Sequence, residues 1–134
     1  MSDPAKIAPS PLTERVEAME AAVGVGDWER AAHYFTDNVL YRVAHRPPAY
    51  GIAGIKDYMD WQNARVRWTG HTPRMKFSRG QTAVFEVESH FQRLSDGATL
   101  IVPCTDIYTF KGEQIADWRV YADTSPFGQP PPGH

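Results

Sequence analysis

The sequence predicts an α+β fold: a curved mixed, mostly antiparallel sheet wrapped around three N-terminal helices, with an internal pocket. Two observations from the residues carry the core of this reading. Apolar residues recur at helical spacing in the first half of the chain. The second half alternates apolar and polar residues over long stretches separated by the turns Gly80-Gln81, Ser95-Asp96-Gly97 and Lys111-Gly112-Glu113. Helices that precede the strands, rather than alternate with them, gather on one face of an antiparallel sheet. Long strands curling over those helices would enclose a pocket.

The elements follow in order. Ser10-Pro11 starts the first helix, a capping hydroxyl followed by proline at the first helical position. Leu12, Val16, Met19 and Val23 share one face of it, and Gly24 and Gly26 stop it. Asp27 caps a second, short helix from Trp28 to Phe35. Thr36-Asp37-Asn38 reads as a turn, Val39 to Ala44 as a strand, and Pro47-Pro48 as an extended loop. A third helix is expected from about Ile52 to Val66, with Ile55, Tyr58, Met59, Gln62 and Val66 on one face. Strands then run from Arg74 to Arg79, Thr82 to Leu94, Ala98 to Phe110 and Gln114 to Ala122.

Side-chain alternation assigns the faces. On the long strand Ala83, Phe85, Val87, Ser89 and Phe91 should face the helices, and Glu86, Glu88, His90 and Gln92 the other side. On the next strand Leu100, Val102, Cys104, Tyr108 and Phe110 share one parity, with Asp106 standing among them. On the last strand Trp118, Val120 and Ala122 alternate with Arg119, Tyr121 and Asp123.

Composition narrows the function. A chain of 134 residues suits one domain. Seven of the 11 prolines lie at its ends, so 1–9 reads as a flexible N-terminal arm, 10–127 as the single domain and 128–134 as a flexible Pro-rich tail. A formal charge of −2 without a basic run argues against nucleic acid as a partner. The single cysteine, Cys104, excludes an internal disulfide and a thiolate zinc cluster, and its place on a core strand suits an inert thiol. No apolar run is long enough for a bilayer and the first residues lack a signal-peptide pattern, so a cytoplasmic location without membrane contact is expected. No His-x-x-x-His, carboxylate triplet, phosphate-binding glycine loop or nucleophile-elbow serine is present, so no metal and no cofactor are expected.

Several motifs occur in a telling order. They are Gly26-Asp27-Trp28, then Tyr34-Phe35-Thr36-Asp37-Asn38-Val39, then Pro48-Ala49-Tyr50-Gly51-Ile52-Ala53-Gly54-Ile55. The strongest is Val102-Pro103-Cys104-Thr105-Asp106-Ile107-Tyr108-Thr109-Phe110-Lys111-Gly112, followed by Ile115 and Trp118-Arg119-Val120-Tyr121. On these residues the chain resembles the SnoaL-like and ketosteroid-isomerase-like families of the nuclear-transport-factor-2-like superfamily, from about Leu12 to Phe127. The resemblance implies a cone-shaped α+β barrel with a deep apolar pocket, and homodimers packed through the sheet face. It also implies a cofactor-independent isomerase, cyclase or lyase, although members of this superfamily differ widely in function.

The residues offer these candidates. Asp106 is a carboxyl on an apolar strand face, where burial should favour the neutral acid, able to donate a hydrogen bond to an oxyanion or enolate. The resemblance places the family's oxyanion-hole aspartate at the same residue, and its general base near Arg42 or Val43, neither of which is a carboxylate. Tyr41 would donate to a substrate oxygen. His45 would act as general base from the rim. Asp123 matches, by resemblance to limonene-type epoxide hydrolases, a catalytic aspartate near the end of the last strand; the arginine and aspartate those enzymes carry on the long strand are absent. Arg42, Tyr58, Met59, Trp61, Phe85, Ser89, Tyr108, Trp118 and Tyr121 are the candidate substrate-binding residues. The expected substrate is a small, largely apolar aromatic or polycyclic oxygenated molecule. The alternatives are an epoxide hydrolase and a non-catalytic binding or association domain.

Overall fold

The computed structural model describes residues 11–128. The Ser10 cap, the N-terminal arm and residues 129–134 of the tail lie outside them. Three helices, α1 (Pro11–Gly24), α2 (Trp28–Ala32) and α3 (Gly51–Asn63), pack on one six-stranded sheet. The strands are β1 (Phe35–Val43), β2 (Ala49–Tyr50), β3 (Val66–Arg79), β4 (Thr82–Arg93), β5 (Thr99–Lys111) and β6 (Gln114–Ala122), with a closing 3-10 turn, Ser125–Gly128. The sheet order is β2-β1-β6-β5-β4-β3. All neighbours are antiparallel except β1 and β6, which run parallel, with Tyr41 opposite Trp118. The fold class is therefore the expected one: a curved, mixed and mostly antiparallel sheet around helices.

Local chemistry explains the starts and stops. Asp27 accepts the Arg30 N–H at 3.1 Å and caps α2. Gly51 opens α3 at φ 72°, where a Cβ would lie 3.2 Å from the Asp37 carbonyl oxygen, so the position favours glycine. The largest difference from the sequence expectation is β3. It begins at Val66, not Arg74, and pairs with β4 from Val66–Arg93 to Arg79–Thr82. Gly70 and Pro73 look like strand breakers, yet β3 is an edge strand whose register shifts beside each of them. The same pairing draws Val66 out of the expected end of α3. In β1, an irregularity between Phe35 and Leu40 hides the first part of the strand from a simple alternation. A two-residue strand, β2, occupies the expected extended loop after Pro48.

The core lies between the helices and the concave face. Val16 and Met19 of α1, Val39 of β1, Ile55 of α3, Tyr108 of β5 and Ile115 of β6 are fully buried. A second cluster, Val66, Phe91, Val102 and Phe127, closes the other end, where the 3-10 turn folds back. Among the described residues, no helix is long and apolar enough to cross a membrane.

Candidate active site

Between these two clusters the sheet and helices leave a cavity of about 650 Å³. That volume falls in the usual range for small-molecule sites. Its walls are mainly apolar: Val43, Met59, Phe85, Val87, Phe91, Val102 and Val120, with the rings of Tyr41, Tyr58 and Trp118. The polar lining consists mainly of Asp106 and Cys104 on β5, Glu17 and Glu20 on α1, Lys76, His71 and Ser89 on the β3–β4 pair, and Gln62 and Asn63 at the end of α3.

Strand β5 aims the central group. Its alternation turns Val102, Asp106, Tyr108 and Phe110 inward and buries them. Phe85 of β4 and Val120 of β6 lie beside Asp106 in register. Asp106 is 9% exposed. Its Oδ1 accepts the Trp118 indole N–H at 3.3 Å, and its Oδ2 accepts the Cys104 thiol at 3.7 Å. Burial pushes the carboxyl up to about 6, while the two donors, which favour the anion, hold it from rising further. The neutral acid expected from sequence is thus a group that titrates close to neutrality, because the indole and thiol offset part of the burial.

Glu20 is the group that sequence reasoning missed. Burial pushes its carboxyl up to about 7, the nearby Asp106 charge adds to this, and the Tyr108 hydroxyl and Lys76 work against it. Tyr108 donates to Glu20 Oε1 at 3.1 Å. The signal was present: Val16, Met19, Glu20 and Val23 occupy i, i+3, i+4 and i+7, so a carboxyl stands in the apolar face of α1. At the mouth, Lys76 Nζ pairs with Glu17 Oε1 at 2.6 Å, both side chains about half exposed.

The remaining candidates divide cleanly. Tyr41, Tyr58, Met59, Phe85, Ser89 and Trp118 line the cavity together with Asp106. Burial holds the Tyr41 phenol well above its ordinary range and pushes Tyr58 up to about 12, so both stay protonated at neutral pH. Tyr108 is fully buried and stands behind the cavity wall, not in it.

Five candidates lie elsewhere. His45 is exposed in the turn after β1, because Ala44 takes φ 53° and ends the alternation that would have carried it inward. Arg42 has the outward parity and donates from Nε to the Arg46 carbonyl at 2.9 Å, bracing that turn. Trp61 is held between the guanidinium groups of Arg46, 4.1 Å away, and Arg65, 4.4 Å away. Tyr121 lies on the outer sheet face and is 54% exposed. Asp123 is exposed, and its Oδ1 accepts the Ser125 N–H at 2.9 Å, which lowers its pKa and caps the 3-10 turn. The carboxylate that the epoxide-hydrolase alternative requires is therefore not in the cavity. His90 faces outward as expected, 3.0 Å from the Thr72 hydroxyl, and Arg74 pairs with Glu88 at 3.1 Å on the same face.

Comparison with known proteins agrees with this architecture. None of the curated proteins matches the chain. Among solved structures, a ketosteroid-isomerase-like protein of Catenulispora acidiphila, in complex with trimethylamine, superposes with a TM-score of 0.72 at 18% identity, covering 85% of this chain and 88% of its own. A candidate isomerase of Rhodopseudomonas palustris has a TM-score of 0.72 at 14% identity, covering 90% and 95%. A candidate polyketide cyclase of Pseudomonas putida has a TM-score of 0.68 at 21% identity, covering 87% and 94%. At such identities the likeness is one of fold. The family model described as the SnoaL-like domain matches residues 16–118, most of the helices and strands that build the cavity, and the chain belongs to that family.

Proposed function

We propose that this chain is a cofactor-free acid–base enzyme of the isomerase, cyclase or lyase type, acting on a small, largely apolar, oxygenated molecule in the cavity. The observation that carries this reading is Asp106, a carboxyl buried on an apolar strand face, open to a cavity of about 650 Å³ and titrating near neutrality. Both protonation states of such a group are populated near working pH, so it can act as base in one step and return the proton as acid in the next.

Carbon beside a carbonyl loses a proton readily only if the charge developing on oxygen is stabilised. Tyr41 suits that task. Its phenol lines the same cavity, and burial keeps it protonated, so it donates a hydrogen bond without surrendering its proton. Met59, Phe85 and Trp118 offer flat apolar walls for an aromatic or polycyclic body. The likeness in fold to a candidate cyclase and a candidate isomerase is compatible with this chemistry but does not select among its forms.

The test uses 2-tetralone, a bicyclic aromatic ketone, in deuterated water, with deuterium uptake at its α-carbons followed by proton NMR. The wild-type protein should accelerate exchange, and Asp106→Asn should lower the accelerated rate by roughly 10²–10⁴-fold. An Asp106→Asn protein that exchanges the ketone at the wild-type rate would sink the role of that residue.

A further inference from the structure

We infer that Glu20 is the second catalytic carboxyl of this site: it protonates the substrate oxygen while Asp106 removes the carbon-bound proton, an assignment that rests on the acid–base reading above. Three observations place it there. Glu20 occupies the i+4 position of the apolar face of α1 and lines the same cavity as Asp106. Both carboxyls are held by one pair of rings. Tyr108 and Trp118 stack with centroids 5.3 Å apart and planes 28° apart. From that stack the Tyr108 hydroxyl reaches Glu20 Oε1 at 3.1 Å and the Trp118 indole N–H reaches Asp106 Oδ1 at 3.3 Å. Phe85 packs edge-on to Tyr108 at 5.7 Å and locks the stack from the β4 side. Finally, the Lys76 ammonium is paired with Glu17 at 2.6 Å and acts on Glu20 only from a distance, and among the described residues no ion pair reaches Glu20.

Among the described residues, the charged and titratable groups around the pair are few. Glu17 stands on α1, Lys76 and His71 on β3, Cys104 and Tyr108 on β5, Tyr41 on β1 and Tyr58 on α3. Lys76 alone among them carries a fixed positive charge, and it lies at the mouth. Two carboxyls that share an apolar cavity resist double ionisation, so the site retains one proton near neutrality. Asp106 accepts two side-chain donors, the Trp118 indole N–H and the Cys104 thiol, whereas Glu20 accepts one, the Tyr108 hydroxyl. The extra donor favours the anion on Asp106, so that proton rests on Glu20 and leaves Asp106 as the base.

The step balances. The Asp106 carboxylate takes the α-proton, the C–H electron pair becomes the C=C bond, and the carbonyl π pair moves to oxygen. Oxygen takes the Glu20 proton. The product is a neutral enol with Asp106 protonated and Glu20 ionised, and the total charge is unchanged. Reversal with reprotonation at another carbon completes an isomerisation.

The experiment has two arms. Carboxyl carbon-13 NMR should show Glu20 titrating near 7 in the wild type and lower in Asp106→Asn, though still above the ordinary carboxylate range because burial remains. Exchange of 2-tetralone should decline at alkaline pH as Glu20 loses its proton. Glu20→Gln should lose at least tenfold in rate together with that alkaline limb. Tyr108→Phe keeps the ring stack and removes the donor, so it should move the alkaline limb upward. An ordinary Glu20 titration, or one indifferent to Asp106→Asn, overturns the pairing. Glu20→Gln with wild-type rate and profile overturns the catalytic role while leaving Asp106 as the base. A wild-type protein inert to the ketone overturns the acid–base reading, and the role of Glu20 with it.

Discussion

Replacing Asp106 by Asn should make the protein gain stability relative to wild type as pH rises to neutral and above, even as it slows proton transfer. The folded carboxyl titrates at about 6, against an ordinary value of 3.8, because burial disfavours its charge. A raised folded pKa means that the folded state binds the proton more tightly than the unfolded chain does. This contribution is fully present below the unfolded pKa and is lost as pH rises through the folded one. The shift of about two units corresponds to about 3 kcal/mol in all, of which about 1.4 kcal/mol falls between pH 5 and pH 8. Asn is neutral throughout and keeps an oxygen for the Trp118 N–H, so the variant lacks this loss. The stability gap, variant minus wild type, should therefore grow in favour of the variant by about 1.4 kcal/mol from pH 5 to pH 8. Relief of Glu20 from the Asp106 charge adds in the same direction. Urea unfolding of both proteins at pH 5, 6, 7 and 8 measures the gap. A gap that stays flat with pH, or that closes, would refute the claim that Asp106 is held as a costly buried anion.

Other consequences are as direct. The Cys104 thiol, pushed up by burial and by Asp106, should resist a disulfide reagent at pH 8 in the folded protein and react promptly in urea; fast labelling of the native state would contradict its placement. Asp123→Ala should leave tetralone exchange unchanged and cost at most about 1 kcal/mol by loss of the cap on the 3-10 turn; a large loss of exchange would return Asp123 to the site. Gly51→Ala should destabilise by roughly 1 kcal/mol or more in urea unfolding, since a Cβ there faces both a positive φ and the Asp37 carbonyl; an unchanged midpoint would contradict that geometry.

Much of the molecule is legible in the chain because the patterns involved are local. The period-two alternation of residues 83–91 and 100–110 sets their inward parity without reference to any partner strand, and it alone turns Asp106 toward the helices. Helical spacing likewise places Met19 and Ile55 in the core. Glu20 was readable by the same logic, as a carboxyl in the apolar face of α1.

What the tertiary structure alone decided depends on contacts between distant segments. The parallel pairing of β1 with β6 brings Tyr41 opposite Trp118, and nothing near either residue predicts it. The long β3 survives Gly70 and Pro73 only because it is an edge strand, a property of sheet order. His45, Arg42, Tyr121 and Asp123 left the candidate site for a related reason: they lie beyond a strand's end or on its outer face, and Trp61 of α3 is drawn to the guanidinium groups of Arg46 and Arg65. The sequence by itself thus determined the fold class and one inward carboxyl. The tertiary structure set a second carboxyl in the same cavity with it, because only folding joins α1 to the Tyr108–Trp118 stack that holds both.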